Sequence, residues 1–239
     1  MRYLDCHLGN LIDALAVCQN EDAVQFALKC LATNAGCTHY SYVELRPAGH
    51  RVCSTYPVDW QERYIEQNYI TLDPTVIQAG RTMRPVPWSY ADKHRYDDKT
   101  RLFFEEARKF GIASGIILPI RAGFGTTVFL SLATEREATN KIAVRDRAYA
   151  ATAVAFVHSS FMRLSKTVLG ANDVPLSPRE LHCAAWAAMG KTKAETGSML
   201  GLSEKTVRFY LERVREKLNA TNVTHAVRIG TMQIGRAHV

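Results

Sequence analysis

The sequence predicts an α/β domain, built as an α/β/α sandwich on a largely antiparallel sheet, followed by an all-α helix-turn-helix domain. Three observations predict this arrangement. Strand-like and helix-like segments mix over residues 1–165 without the regular βαβ alternation of a parallel sheet. Turn-forming residues cluster over residues 166–174, as is typical of a linker. Three short helical patterns with distinct start signals then follow within residues 175–239.

The N-terminal domain begins with two helical patterns, around residues 8–17 and 21–35. The β-branched and aromatic segments THYSYVELR and HRVCSTY predict a pair of strands after them. A second pair is predicted around the Gly123-Phe124-Gly125 turn, in SGIILPIRAGFGTTVFLSLAT. This Gly-x-Gly does not indicate nucleotide binding, because a strand rather than a helix follows it. Further helices are expected in DDKTRLFFEEARKFG and over residues 144–164.

The composition excludes several classes of protein. Of the 239 residues, 47% are apolar and 22% are charged, as in a globular protein with a buried core. The apolar run from 116 to 133 is interrupted by Arg121 and two glycines, and it is shorter than the roughly 20 residues that a membrane span needs. The N-terminus lacks the basic-then-apolar layout of an export signal. We therefore expect a cytoplasmic protein without membrane contact.

Cysteine and histidine usage gives no support for a metal site. The six cysteines form no Cys-x-x-Cys pair, and no histidine lies at ligand spacing from them. We expect these cysteines to be reduced and mostly buried as small apolar residues. No metal and no other cofactor is expected.

Capping residues mark the starts of the three C-terminal helices. Ser177-Pro178-Arg179-Glu180 has the form of a capping box with proline at the first helical position. Thr192-Lys193-Ala194-Glu195 repeats the box, and Ser203, after Gly201, is the expected cap of the third helix. That helix is expected to bury one stripe of residues: Val207, Leu211, Val214 and Leu218. Two short helices, a three-residue turn and a longer basic helix predict a helix-turn-helix.

Positive charge concentrates in the same segment. The net charge is +7, and residues 166–239 hold eleven Lys and Arg against six Asp and Glu, an excess typical of nucleic-acid binding. In a major groove Arg208 would read guanine and Glu212 would accept from cytosine, while polar residues at the helix starts would contact phosphates. The predicted DNA-binding residues are Thr192, Lys193, Lys205, Thr206, Arg208, Phe209, Glu212 and Arg215. A small three-helix bundle with a charged surface is the alternative.

The C-terminal segment resembles the helix-turn-helix of LuxR-type transcription regulators. It contains the patterns L-[ST]-x-R-E, G-K-[ST]-x-x-E, L-x-[IL]-S-x-x-T-V and K-L-x-[AV]-x-[NS] with consistent spacing. Two positions depart from the family. Tyr210 stands where the family usually has histidine, and Val223 stands where an arginine often follows asparagine. The second departure implies the loss of one phosphate contact.

The N-terminal segment resembles the autoinducer domain of the acyl-homoserine-lactone receptors in the same family. The matching motifs are Tyr56-Pro57-x-x-Trp60, Asp73-Pro74, Pro87-Trp88, Phe103-Phe104-x-x-Ala107 with Gly111, and Leu130-Ser131-Leu132. Together with the C-terminal patterns, these motifs extend the resemblance over nearly the whole chain.

The resemblance implies a role for each polar residue of these motifs. The Trp60 N–H would bind the lactone carbonyl, Asp73 the amide N–H, and Tyr56 or Ser131 the acyl carbonyl, with Trp88 as an apolar wall. The implied ligand-binding residues are Tyr56, Trp60, Tyr64, Asp73, Thr75, Val76, Trp88 and Ser131. Without the resemblance, the same aromatic residues would be interpreted as an ordinary core between sheet and helices.

The acyl tail of such a ligand would lie between the sheet and the aromatic helix. Its candidate walls are Tyr64, Tyr69, Val76, Ser41 and Val43. The bulk of these residues favours a short, branched or aromatic acyl group. Tyr40 and Tyr42 would point to the opposite face of their strand.

The function that follows is that of a quorum-sensing regulator. Lactone binding would order the N-terminal core, and a homodimer, packed through the helix of residues 144–164, would bind a palindromic promoter site and activate transcription with RNA polymerase. An antagonised repressor, and a regulator that answers a non-lactone signal or none, are alternatives. A lactone-degrading or acyl-transfer enzyme is another, but neither Gly-x-Ser-x-Gly nor His-x-His-x-Asp-His occurs in the sequence.

The end of the chain departs from the family. The last helix usually closes with an apolar Gly-Leu-Ile-like sequence, whereas IGRAHV here matches a translated sequencing adaptor. We expect residues 234–239 to be non-native, with a few native residues missing.

Overall fold

The computed structural model describes residues 2–46, 49–123, 125–137, 142–165, 176–218 and 220–227. The predicted linker, residues 166–174, and the predicted non-native end, residues 234–239, lie outside these ranges. The chain forms two compact units, of which the first contains most of the sheet and the second contains the C-terminal helices.

Helices and strands follow one another in an irregular order, as the sequence predicts. The helices are α1 (Asp5–Ala16), α2 (Glu21–Asn34), α3 (Val58–Glu66), α4 (Pro74–Thr82), α5 (Asp98–Lys109), α6 (Arg147–Ser165), α7 (Pro178–Ala188), α8 (Lys193–Leu200) and α9 (Glu204–Lys217). The strands are β1 (Arg2–Tyr3), β2 (His39–Arg46), β3 (Gly49–Ser54), β4 (Val86–Ser89), β5 (Ser114–Gly123), β6 (Thr126–Thr134) and β7 (Ile142–Ala143).

The first unit is built on a five-stranded sheet with the strand order β3-β2-β6-β5-β4. β4 pairs antiparallel with β5, and Trp88 stands opposite Gly115 in this register. A separate parallel pair joins β1 to β7, with Arg2 opposite Ile142. The predicted antiparallel sheet with flanking helices is thus confirmed.

Consecutive residues of β5 and β6 are buried, which shows that both faces of this sheet are covered. A hydrogen bond of 2.8 Å joins the Tyr42 hydroxyl on β2 to Nδ1 of His158 on α6. Elsewhere in the sheet, Phe129 of β6 lies 3.6 Å from the position that a Cβ on Gly80 of α4 would occupy. These contacts place α6 and α4 against the sheet.

Helix caps and a glycine helix end account for the positions of the helices in the second unit. Both predicted capping boxes are formed, with Ser177 capping α7 and Thr192 capping α8, and Ser203 caps α9. Gly201 ends α8 with a φ of +65°, a left-handed conformation that glycine adopts without steric cost. The expected apolar stripe of α9 is buried at its first three positions. Leu218 lies just beyond the helix as its C-cap and is only partly buried.

Two further expectations concern membrane-spanning helices and the burial of the cysteines. None of the helices in the described ranges combines the length and hydropathy of a membrane-spanning segment. The expectation that the cysteines are mostly buried is only half right. Cys18, Cys37 and Cys183 are buried, whereas Cys30 and Cys53 are partly exposed and Cys6 is exposed.

Candidate functional site

Aromatic side chains from α3, β4 and α5 form one cluster against the sheet. Trp60 is 3% exposed, and its ring centroid lies 5.9 Å from that of Tyr64, 5.9 Å from that of Phe103 and 5.4 Å from that of Phe110. Trp88 stacks on Phe104 with a centroid distance of 5.6 Å. The partly buried rings packed against this cluster are Tyr56, Tyr64, Tyr69, Tyr96 and Phe110.

Glycine in the neighbouring strand leaves room for the Trp88 ring. A Cβ on Gly115 would lie 3.1 Å from Cζ2 of Trp88 and 2.2 Å from the carbonyl oxygen of Leu132. Only a residue without a side chain fits between them. The β4–β5 register therefore brings a tryptophan of the edge strand into the same cluster as Trp60.

Asp73 lies at the junction of this cluster with α4. As the N-cap of α4, its Oδ1 accepts hydrogen bonds from the Thr75 backbone N–H at 2.9 Å, the Thr75 hydroxyl at 2.7 Å and the Val76 backbone N–H at 3.4 Å. Its Oδ2 accepts a bond of 3.1 Å from the Tyr64 hydroxyl. Burial raises the pKa of this carboxyl above its ordinary value, although these hydrogen bonds act in the opposite direction.

Two polar groups of the aromatic cluster lack hydrogen-bond partners within the described part of the chain. They are the buried indole N–H of Trp60 and the hydroxyl of half-buried Tyr56. Burial raises the pKa of the Tyr56 hydroxyl, and the nearby Asp73 carboxylate adds to this rise. Buried N–H groups normally have partners, so an unpaired one in this cluster is a feature of ligand sites.

Ser131 lies on the sheet in the same region. It is partly exposed, although it belongs to the central strand β6 and its neighbours Leu130 and Leu132 are buried. Since side chains alternate along a strand, Ser131 shares a face with Ala133, which belongs to the aromatic cluster.

The structure thus brings Tyr56, Trp60, Tyr64, Asp73 and Trp88 together, and it places Thr75 and Val76 in the first turn of α4. Ser131 lies on the facing strand without a described hydrogen bond to them.

The sequence prediction did not identify Arg63 and Glu106, which form an ion pair between α3 and α5 and lie beside Tyr69. Their opposite charges are 43 residues apart in the chain, so no local pattern indicates the pairing.

The predicted DNA-binding residues lie on α9 and at the start of α8. Lys205, Arg208 and Phe209 are exposed on α9, and Phe209 is 55% exposed. Glu212 is paired with Arg215 at 2.7 Å, and Arg208 lies 3.8 Å from Glu204. At α8, exposed Thr192 and partly exposed Lys193 occupy the N-cap and the first helical position. Thr206 is partly exposed, and its hydroxyl bonds to that of Ser203 at 2.7 Å.

A buried carboxylate fixes α9 to α7. Glu180, whose side chain is 3% exposed, accepts hydrogen bonds from Arg213 at 3.2 Å, Lys217 at 2.7 Å and the Ser177 backbone N–H at 2.6 Å. Burial raises the pKa of Glu180, but the bonds from Lys217 and Ser177 more than offset this effect, and the net pKa is lowered. The capping box was predicted, whereas the two ion pairs were not.

The two departures from the family pattern have a structural explanation. Tyr210 and Val223 are partly buried and pack against the cluster of Cys183, Val207 and Leu211. Both side chains therefore contribute to the core of the second unit. The described residues contain no group of three or more His, Cys, Asp or Glu side chains that could hold a metal ion.

Comparison with known families and proteins agrees with this division of the chain. The family described as "Autoinducer binding domain" matches residues 20–162, and "Bacterial regulatory proteins, luxR family" matches residues 174–229. The transcriptional activator protein AnoR of Acinetobacter nosocomialis is 31% identical over 92% of this chain and 94% of its own length.

Two solved structures share the fold. The crystal structure of Escherichia coli SdiA matches with a TM-score of 0.64 and 20% identity, over 96% of this chain and 97% of that one. CepR2 of Burkholderia cenocepacia matches with a TM-score of 0.54 and 22% identity, over 66% of this chain and 95% of that one. The chain therefore belongs to the luxR family of bacterial transcription regulators, with an N-terminal autoinducer-binding domain and a C-terminal DNA-binding domain.

Proposed function

We propose that this regulator binds an N-acyl-homoserine lactone in the aromatic cluster around Trp60 and Asp73, and that the liganded homodimer activates transcription from a palindromic promoter site. The proposal gives the chain no catalytic role. It places the protein in the cytoplasm, where double-stranded DNA and RNA polymerase are its macromolecular partners.

The observation that carries the lactone proposal is the unpaired indole N–H of Trp60, whose ring packs against Tyr64, the residue whose hydroxyl donates to the buried Asp73 carboxylate. The indole N–H is a donor and the carboxylate an acceptor in an otherwise aromatic environment. An acyl-homoserine lactone offers a carbonyl and an amide N–H, together with an apolar tail for the surrounding rings. A purely structural core would leave the Trp60 donor without compensation for its lost hydration.

The remaining residues have matching roles in this proposal. The hydroxyls of Tyr56 and Ser131 bind the acyl carbonyl, and Trp88 packs against the lactone ring. Tyr64 positions Asp73 through the hydrogen bond to Oδ2. Thr75 and Val76 hold Oδ1 in place, because both backbone N–H groups donate to that oxygen.

Relatives support both halves of the proposal. AnoR is described as a transcriptional activator, and CepR2 as a transcription factor dependent on N-acylhomoserine lactone. A second structure of SdiA is a complex with octanoyl-rac-glycerol. Octanoylglycerol is therefore an informative competitor for a lactone that carries the same octanoyl chain.

For DNA, we infer that α9 enters the major groove with Lys205, Thr206 and Arg208 leading. Arg208 and Glu212 contact base edges, and Phe209 offers an exposed apolar surface to the groove. Lys205, Thr206, Arg215, Thr192 and Lys193 contact phosphates. Selection from a random duplex library by the liganded chain should enrich inverted repeats whose half-sites are about one helical turn apart.

For dimer formation, α6 offers the best surface. Tyr149, Thr152, Ala155, Phe156 and Ser159 are exposed on this helix, and Phe156 is 44% exposed. Residues three and four apart lie on one face of a helix, so these side chains form a strip of aromatic, small and hydroxyl residues that a second copy would cover.

Soluble yield and thermal unfolding with a panel of lactones test the ligand. The panel contains butanoyl, hexanoyl, octanoyl, dodecanoyl, 3-methylbutanoyl and cinnamoyl homoserine lactones, with octanoylglycerol for comparison. Because a ligand that binds only the folded state stabilises it by mass action, at least one lactone should raise the melting temperature in proportion to the logarithm of its concentration. A response to octanoylglycerol alone, or to no compound, would refute the lactone proposal.

A further inference from the structure

The segment between α3 and α4 lies over the aromatic cluster. Within it, Tyr69 begins a short 3-10 turn, Tyr69–Thr71, directly after Asn68, which has a left-handed φ of 49°. The Tyr69 ring lies 5.8 Å from that of Trp60 and 5.2 Å from that of Phe103, measured between centroids. Tyr69 is partly exposed, so this ring lies between solvent and the buried Trp60.

A polar contact between two helices holds this ring in place. The Tyr69 hydroxyl donates a hydrogen bond to Oε2 of Glu106 on α5. Arg63 on α3 donates to the same carboxylate through Nη2 at 3.0 Å and Nε at 3.3 Å. The side chains of Arg63 and Glu106 are 44% and 26% exposed, so the ion pair lies at the protein surface. The Arg63 guanidinium holds the pKa of Glu106 below its usual value, and Glu106 is therefore charged at neutral pH.

The same segment is connected to the proposed ligand contact. The carbonyl oxygen of Tyr69 accepts from the backbone N–H of Leu72 at 2.8 Å and from that of Asp73 at 2.7 Å. Displacement of Tyr69 therefore disturbs the backbone that positions the Asp73 carboxylate. Residues 67–72 connect the regular helices α3 and α4, and Gln67, Asn68, Thr71 and Leu72 are exposed, so this segment can move at lower cost than either helix.

We propose that residues 67–72 form a gate over the aromatic cluster, that the Tyr69 ring closes it, and that the Arg63–Glu106 ion pair with the Tyr69 hydroxyl is the latch. The gate controls how fast the lactone enters and leaves, and this inference rests on the proposed function. An exposed ion pair is suited to this role, because its small net strength holds the ring without locking it.

The test compares ligand kinetics in the full-length chain and in two latch variants. Glu106→Gln removes the ion pair, and Tyr69→Phe removes the hydroxyl but keeps the ring. Arg101→Gln is the matched control, because Arg101 pairs with Asp98 at 2.9 Å on the same helix, and neither residue belongs to the aromatic cluster. Association and dissociation rates are measured by stopped-flow tryptophan fluorescence, with the lactone of the panel that gives wild type its largest melting shift.

A gate predicts that both rate constants rise, roughly three- to tenfold for hydrogen bonds and ion pairs of this kind, while the equilibrium constant changes little. Higher ionic strength should produce part of the same acceleration in wild type but not in Glu106→Gln. The gate is refuted if only dissociation accelerates, or if Arg101→Gln behaves like the latch variants. Arg63, Glu106 and Tyr69 would then form a static part of the site wall. If wild type binds no lactone, the proposed function fails instead.

Discussion

The Tyr64 hydroxyl donates to Oδ2 of Asp73 at 3.1 Å, while Oδ1 of the same carboxylate caps α4. One buried side chain therefore joins α3 to α4. The cap occupies Oδ1 with three donors, whereas Oδ2 has a single donor and retains acceptor capacity. This difference makes Oδ2 the atom on which a ligand N–H would be received.

Lactone affinity should fall as the pH decreases, because the contact needs an ionised Asp73. Burial raises the folded-state pKa of Asp73 above its ordinary value of 3.8, so the ligand-free fold binds this proton more readily than the unfolded chain does. The Asp73 contribution to ligand-free stability therefore rises as the pH falls through that raised pKa towards 3.8, while lactone binding must expel the proton and weakens. Titration calorimetry at a series of pH values, from neutral pH down to the onset of acid unfolding, measures the effect.

The matched control for this pH dependence is Asp73→Asn, which has no proton to exchange at this position. Its residual affinity should be flat over the same range. A pH dependence that persists in the variant would assign the effect to another group.

Gly115→Ala should destabilise the first unit, because the new Cβ would collide with the Leu132 carbonyl oxygen and press on Trp88. Overpacking of this kind costs roughly 1–3 kcal/mol. Gly80→Ala is the control, since its Cβ would meet Phe129 at 3.6 Å, an ordinary contact, and alanine favours a helix by up to about 1 kcal/mol. Chemical denaturation of both variants checks the prediction, and equal stabilities would contradict the close packing of Trp88 on β5.

Glu180→Gln should loosen α9 from α7 at neutral pH. It removes charged hydrogen bonds to Arg213 and Lys217, each worth about 1.5–3 kcal/mol when buried and less here, because Arg213 is half exposed. The lowered pKa of Glu180 means that its stabilisation is present above its ordinary value of 4.5 and is lost as the pH falls through the folded-state pKa. The difference between wild type and Glu180→Gln should therefore vanish in acid.

Hydrogen exchange of the backbone amides of α7 and α9 in the full-length chain measures this loosening. Glu195→Gln is the control, because Glu195 occupies the same capping-box position on α8 and, within the described part of the chain, pairs with the exposed Lys191 alone. Equal protection in the two variants at neutral pH would show that the box alone, without the ion pairs, accounts for the role of Glu180.

Local chemistry explains which features could be predicted from the sequence. The starts of α7, α8 and α9 follow from Ser177, Thr192 and Ser203, because each cap bonds to a backbone N–H only three residues away. The stripe of Val207, Leu211 and Val214 follows from the helical period.

The features that could not be predicted from the sequence depend on contacts between residues distant in the chain. The strand β4 was not predicted, because it is four residues long and contains Pro87, and its pairing with β5 comes from the fold. Glu180 meets Lys217 across 37 residues, and Glu106 meets Tyr69 across 37 residues. The sequence indicated Asp73 as a ligand contact but not as the cap of α4, although Asp-Pro is a known helix start.

The most direct test of the lactone site is titration calorimetry of wild type and Asp73→Asn at neutral pH with the most stabilising lactone. Wild type should bind the lactone, and the variant should bind it roughly ten- to a hundredfold more weakly, since a hydrogen bond to a charged group is worth about 1.5–3 kcal/mol. The ligand-free melting temperature should not fall, because asparagine can still cap α4 and a buried charge is removed. Equal affinities in two equally stable proteins would contradict the assignment of Asp73 as the ligand contact.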